Sequence, residues 1–172
     1  MEPVFVNKYS HTKESFIEMN KKHSEFTRIF FGLLFLIVFL ALSLFGYFVL
    51  YDLTYTIVVA VFGVLFAFYP LIRIYILAGK REKQLLELYG TIPEAETLFF
   101  DDRIEAVSLT NKAEVKLEYE KIKRIKQSKN MYLLILSKSL VVMVNKNGFE
   151  KGTCEEFEEF IKSKAVNAKI RL

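Results

Sequence analysis

The chain predicts an α+β membrane protein: a two-helix transmembrane hairpin, then an antiparallel β-sheet domain closed by a C-terminal helix. Three observations carry that prediction. Residues 29–50 read "IFFGLLFLIVFLALSLFGYFVL" without a charge, and a helix needs about 20 predominantly apolar residues to cross a hydrocarbon core roughly 30 Å thick. A second run at residues 53–78, "LTYTIVVAVFGVLFAFYPLIRIYILA", is long enough to cross again. From residue 96 the texture changes to short β-rich runs separated by turn-forming clusters, ending in one amphipathic helix.

Residues 1–28 are expected to form a cytoplasmic strand and helix leading into the membrane. "PVFVNKY" sets Val4, Val6 and Lys8 against Phe5, Asn7 and Tyr9, the alternation of a short strand. Ser10 and Thr12 then stand where helix caps stand. Phe16, Met19, His23 and Phe26 recur at helical spacing, which predicts a helix running unbroken into the first span.

Neither apolar run (29–50, 53–78) shows the polar face of a soluble core helix. Between them lies one acid, Asp52, flanked by Tyr47, Tyr51 and Tyr55. Tyrosine rings collect at the headgroup level, so the chain is expected to turn at Asp52 and return as an antiparallel neighbour. Gly32, Gly46 and Gly63 form no GxxxG pair, so close helix association is not signalled. Arg73 near the end of the second run reads as a long side chain reaching the headgroups, not as a transport charge. Pro70, one turn before it, is a kink position.

Lys21, Lys22 and Arg28 precede the first run; Lys80, Arg81 and Lys83 follow the second; the turn holds no base. The positive-inside rule then gives a multi-pass plasma-membrane protein with both termini cytoplasmic. The charged N-terminal segment does not read as a signal peptide.

Residues 79–95 are expected to continue the second span as a helical stalk and linker, with Gly90 as its stop and Pro93 beyond. Residues 96–172 form the C-terminal domain. Its strand candidates are "TLFF", "RIEAVSL", "AEVKLEY", "KRIKQ", "MYLLIL" and "LVVMVN", split by "DD", "TNK", "SKN" and "SKS". Such short gaps predict an antiparallel meander. Tyr119, Ile122 and Ile125, three apart, predict a tight turn or bulge before the fourth strand. In "GTCEEFEEFIKSK", Thr153 and Glu156 form a capping box, and Cys154, Phe157, Phe160 and Ile161 make the stripe that packs on the sheet. About six strands plugged by a terminal helix is the pleckstrin-homology-like (PH-like) plan. The strand at residues 3–9 is expected to dock on an edge of this domain, because an open meander leaves an edge needing cover.

The segments "FFDDRIEAVS", "LEYEKIKRI", "MYLLIL" and "VNKNGFEKGTCEEFEEFIK" resemble the YcxB-like family of small bacterial membrane proteins. The resemblance implies a short cytoplasmic N-terminus, two membrane helices and a PH-like C-terminal domain. It supplies no catalytic residues.

The chemistry-bearing residues are few. His11 and His23 are far apart in sequence, and no HExxH or CxxC supplies further ligands. Cys154, the one cysteine, rules out an internal disulfide and reads as a small core residue. No P-loop or GxGxxG is present. The expectation is a non-enzyme without metal or cofactor. The most basic stretch, "KIKRIKQSKNMY", gathers Lys121, Lys123, Arg124, Lys126 and Lys129. Two readings stay open: a surface facing anionic lipid or a partner, or an edge strand guarded by lysines. The formal charge of +4 falls short of a nucleic-acid binder. The functional expectation is a membrane-anchored binding or regulatory protein whose cytoplasmic domain docks a protein partner, a second copy or the inner leaflet. A subunit of a small transporter or channel is the alternative, weakened by spans that offer few polar side chains.

Overall fold

The computed structural model describes residues 2–137 and 140–171. Their contacts divide into two compact units: residues 24–79, and a domain built from residues 1–23 together with 80–172.

The first unit is a helical hairpin. Helix α2 (Glu25–Phe48) and helix α3 (Leu53–Tyr89) are long and apolar enough to cross a membrane, and about 11% of the most apolar stretch of each is buried. Their apolar side chains therefore face outward, unlike those of a buried core helix. The turn falls at Asp52, as its sequence predicts. Tyr51 takes a left-handed conformation (φ 50°), and the Asp52 carboxylate accepts from the Tyr55 N–H at 2.9 Å, capping α3. The helices approach closely despite lacking GxxxG. A Cβ at Gly63 would meet Phe39, one at Gly46 would meet Tyr55, and one at Gly32 would sit 3.3 Å from the Ala67 carbonyl. Small residues admit the neighbouring helix here without a repeat at fixed spacing. The Ser43 hydroxyl adds a bond to the Thr56 carbonyl at 3.1 Å. Helix α3 continues through Pro70, and Arg73 is exposed on it.

The domain holds two sheets. The five-stranded sheet runs β4-β3-β2-β1-β8, and the four-stranded sheet runs β7-β6-β5-β9. In chain order they are β1 (Phe5–Ser10), β2 (Glu94–Phe99), β3 (Ile104–Ser108), β4 (Glu114–Leu117), β5 (Arg124–Gln127), β6 (Met131–Ile135), β7 (Val141–Asn145), β8 (Phe149–Lys151) and β9 (Lys169–Arg171). All neighbours are antiparallel except β5 and β9. The six expected runs fall on β2 to β7, but they make parts of two sheets and not one meander. The "SKS" turn centres on Lys138 and Ser139, outside the described residues.

Three expectations are corrected. Strand β1 does not cover an edge: it lies between β2 and β8, pairing Phe5 with Phe99 and Val6 with Lys151. The N-terminal helix does not run on into the span, since α1 (Lys13–His23) ends before Ser24 and α2 starts at Glu25. The C-terminal domain is not residues 96–172 alone, because β2 begins at Glu94 and β1 supplies an interior strand.

The core sits between the sheets. Helix α4 (Cys154–Lys164) is held by the expected capping box, with the Thr153 hydroxyl accepting from the Glu156 N–H at 3.3 Å and the Glu156 carboxylate accepting from the Thr153 N–H at 3.0 Å. It inserts Phe157 among Phe5, Phe99, Tyr132 and Phe149 at ring-centre distances from 4.8 to 5.7 Å. Burying one phenylalanine this way stabilises by about 1.5–3 kcal/mol. Gly152, at φ 82°, precedes the cap where a Cβ would strike the Phe5 ring. A 3-10 turn at Tyr119–Lys121 sets the spacing of Tyr119, Ile122 and Ile125, all buried.

Candidate functional site

Helix α1 is what distinguishes the domain from a bare two-sheet core. Met131, Leu133, Ile135 and Met143 alternate with the core residues of β6 and β7, so they lie on the other face of the four-stranded sheet, yet they are buried. Two side chains tie helix α1 to that sheet and to its β5–β6 turn. The Lys126 ammonium, on a side chain of a residue 8% exposed, donates to the carbonyls of Lys22 (2.7 Å) and His23 (3.3 Å) at the end of α1. A cation at a helix C-terminus complements the dipole. The Glu18 carboxylate accepts from the Asn130 N–H at 2.7 Å and from its side-chain amide at 3.0 Å. Burial alone would raise the Glu18 pKa, but these bonds outweigh it and hold the group below the usual carboxylate range.

At its other end α1 meets the last turns of α3. His11 stands edge-on to Tyr9 at 5.0 Å and stacks on Phe16 at 5.6 Å, and the Arg81 guanidinium lies 5.0 Å from the Phe16 ring centre. Glu82 accepts from the Lys13 N–H at 2.7 Å. Burial, and secondarily the charge of Arg81, lowers the His11 pKa, so the imidazole is held neutral. Burial also pushes the Tyr9 phenol up to about 12. His11 thus serves as a packed ring.

The five basic residues gathered by the sequence separate in space. Lys126 leaves the surface for the α1 clasp. Lys121 pairs with Glu118 at 3.1 Å. Lys123, Arg124 and Lys129 are exposed. The guarded-edge reading does not hold, because β5 has β6 on one side and β9 on the other. In its place stands a like-charged neighbour: Arg124 lies opposite Lys169 of β9, also exposed. Lys169, distant in sequence, carried no local signal.

Asn7 is the other residue whose role sequence alone did not reveal. It is fully buried, and its amide donates to the Asn145 carbonyl at 2.7 Å while its carbonyl accepts from the Asn145 N–H at 2.9 Å. One side chain thereby copies the pairing of a strand residue and ties β1 to the rim of β7. A cleft of about 390 Å³ opens beside it, lined among others by Tyr9, Ser15, Glu18, Asn130, Met143 and Asn145.

Cys154 faces the Tyr132 hydroxyl at 3.4 Å, and that hydroxyl donates to the Glu158 carboxylate at 3.0 Å, which Lys162 also engages at 2.6 Å. Burial, then the bonds to Cys154 and Glu158, raise the Tyr132 pKa. The thiol thus lies against a phenol that is itself bonded to Glu158. Among the described residues no three His, Cys, Asp or Glu side chains are grouped to hold a metal.

This architecture defines a class: an α+β chain with two helices apolar enough for a bilayer and a two-sheet domain plugged by a helix. Within it, residues 99–162, from the end of β2 into α4, match the family model described as YcxB-like protein, the family that the motifs resemble. Strand β1, α1 and the hairpin lie outside the matched segment. No curated protein and no solved structure matches the chain.

Proposed function

We propose that this chain is a membrane-anchored, non-enzymatic binding module. In this reading the hairpin crosses the plasma membrane twice, both termini lie in the cytoplasm, and the domain, PH-like in plan, docks a protein partner beside the inner leaflet. The observation that carries the proposal is the pairing of β1 with β2. These strands are adjacent in one sheet, yet the whole hairpin separates them in the chain. A bilayer cannot pass between hydrogen-bonded strands, so a crossing hairpin must return to the side it left. The basic residues at both hairpin ends then favour the cytoplasmic side. The exposed Lys123, Arg124, Lys129 and Lys169 suit the neighbourhood of anionic headgroups, at about 1 kcal/mol for each base close to the surface.

The test is thiol labelling in intact cells, with Cys154→Ser as background. A cysteine at Asp52 should react with an impermeant reagent, whereas one at Lys129 should react only after permeabilisation. The opposite pattern would put the domain outside. Equal labelling of both in intact cells would reject a crossing hairpin.

A further inference from the structure

Strand β4 ends the five-stranded sheet, and among the described residues its outer side has no neighbouring strand. Its register fixes which backbone groups look outward. The Ser108 N–H donates to the Ala113 carbonyl, and antiparallel pairs alternate between bonded and non-bonded. Ala106 with Val115, and Ile104 with Leu117, are therefore bonded pairs. Val115 and Leu117 spend their backbone groups on β3. Glu114 and Lys116 turn theirs to the free edge.

Natural edges are commonly blunted by charge, and this one is charged in a particular pattern. Residues 112–118 read Lys-Ala-Glu-Val-Lys-Leu-Glu. Laid antiparallel on a second copy about a two-fold axis at Val115, Glu114 meets Lys116 of the other copy and Lys116 meets its Glu114. Both charged positions of β4 thus face their opposites, and Val115, 48% exposed, faces itself. The backbone agrees with this register. Glu114 and Lys116, whose N–H and C=O groups point outward, become the bonded pairs, and Val115 becomes the closer, non-bonded pair.

We infer that the free edge of β4 is a self-pairing surface whose partner is β4 of a second copy of this chain. The two five-stranded sheets then join into one across an isologous, two-fold interface. The existing contacts of Lys116, to Glu114 at 3.2 Å and Glu105 at 3.4 Å, involve a side chain 63% exposed. The Glu114 pair is exposed on both sides and contributes little, and the largely buried Glu105 is also held by Arg103 at 2.7 Å, so sharing Lys116 with a second copy gives up little. The inference names the partner in the reading above and takes from it only the premise that the domain binds protein.

The test uses the full chain in native membranes, again with Cys154→Ser. Under mild oxidation Val115→Cys should give a disulfide-linked dimer, because non-bonded antiparallel partners bring Cβ atoms within disulfide reach. Lys112→Cys should not, since it sits in the turn before β4 (φ 57°), three residues from the axis, and its two copies would stand beyond disulfide reach. Adding Lys116→Glu to the Val115→Cys chain should lower the cross-linked fraction about tenfold, and adding Glu114→Lys should do the same, since each sets like charges opposite at two positions. Co-expressing those two variants should restore cross-linking between them, which also shows that each is folded. Absence of the Val115 cross-link, equal linking at Lys112, indifference to the charge changes or no recovery on mixing would each overturn the inference. A lost cross-link with the labelling pattern at Asp52 intact rejects the edge pairing and leaves the anchored module standing. A reversed labelling pattern with the cross-link intact does the opposite.

Discussion

Lys126 shows how a single side chain changes meaning when folded. In sequence it is one of five bases on a presumed surface; in the fold it closes the end of α1. What hid this was distance in the chain, since the carbonyls it reaches belong to Lys22 and His23. Asn7 was half legible, as the one polar residue in the phase of Phe5 and Tyr9. Nothing local, however, could say that its amide would meet the backbone of Asn145. The two kinds of base in the basic stretch are separable by mutation. Lys126→Met keeps the aliphatic stem and removes the donor, so it should destabilise the domain by about 1.5–3 kcal/mol, the range for bonds to a charged group. Lys123→Met, just before strand β5, and Arg124→Met, on it, change exposed residues and should each alter stability by less than about 0.5 kcal/mol. Chemical denaturation of the three variants reads both, and equal effects at all three positions would deny the clasp.

Among elements, legibility followed length and local chemistry. Strands of four to six residues with alternating or continuous apolar character were readable, as was the turn before β5. The three-residue strands β8 and β9 were not, because so short a run has no period to detect. The break at Ser24 was hidden because residues on both sides keep helical spacing. Helix α4 was the most legible element, since its cap is written in contiguous residues. Its cap also bears on the core, for Thr153 fixes where the helix starts and so where Phe157 points. Thr153→Ala should therefore lower stability by about 0.5–2 kcal/mol, centred near 1, measured as a shift of the domain's thermal midpoint. No shift would mean that the Phe157 cluster alone sets the helix start.

At the scale of the whole molecule, the sequence divides into a tail, a hairpin and a domain, while the fold divides into a hairpin and a domain that surrounds it in chain order. That difference arises because β pairing is non-local: no pattern near residues 5–10 names β2 and β8 as partners. It changes what truncation should do. An edge strand could be removed at the cost of one ladder. Strand β1 instead has a ladder on each side, contributes Phe5 to the core and carries Asn7, the link between the sheets. Its loss would leave β2 and β8 two strand spacings, roughly 9.6 Å, apart, with unpaired backbone groups on both sides. A chain lacking residues 1–9 should therefore lose the cooperative melt of the domain entirely. Proteolysis should then begin near Gly90, which is exposed at φ 71° where α3 ends. If the truncated chain still melted cooperatively, with a midpoint lowered by about 5 °C, the loss would amount to roughly 1 kcal/mol. That outcome would show β2 and β8 closing the sheet without β1, and would remove the sheet pairing as the reason both ends of the hairpin share one side.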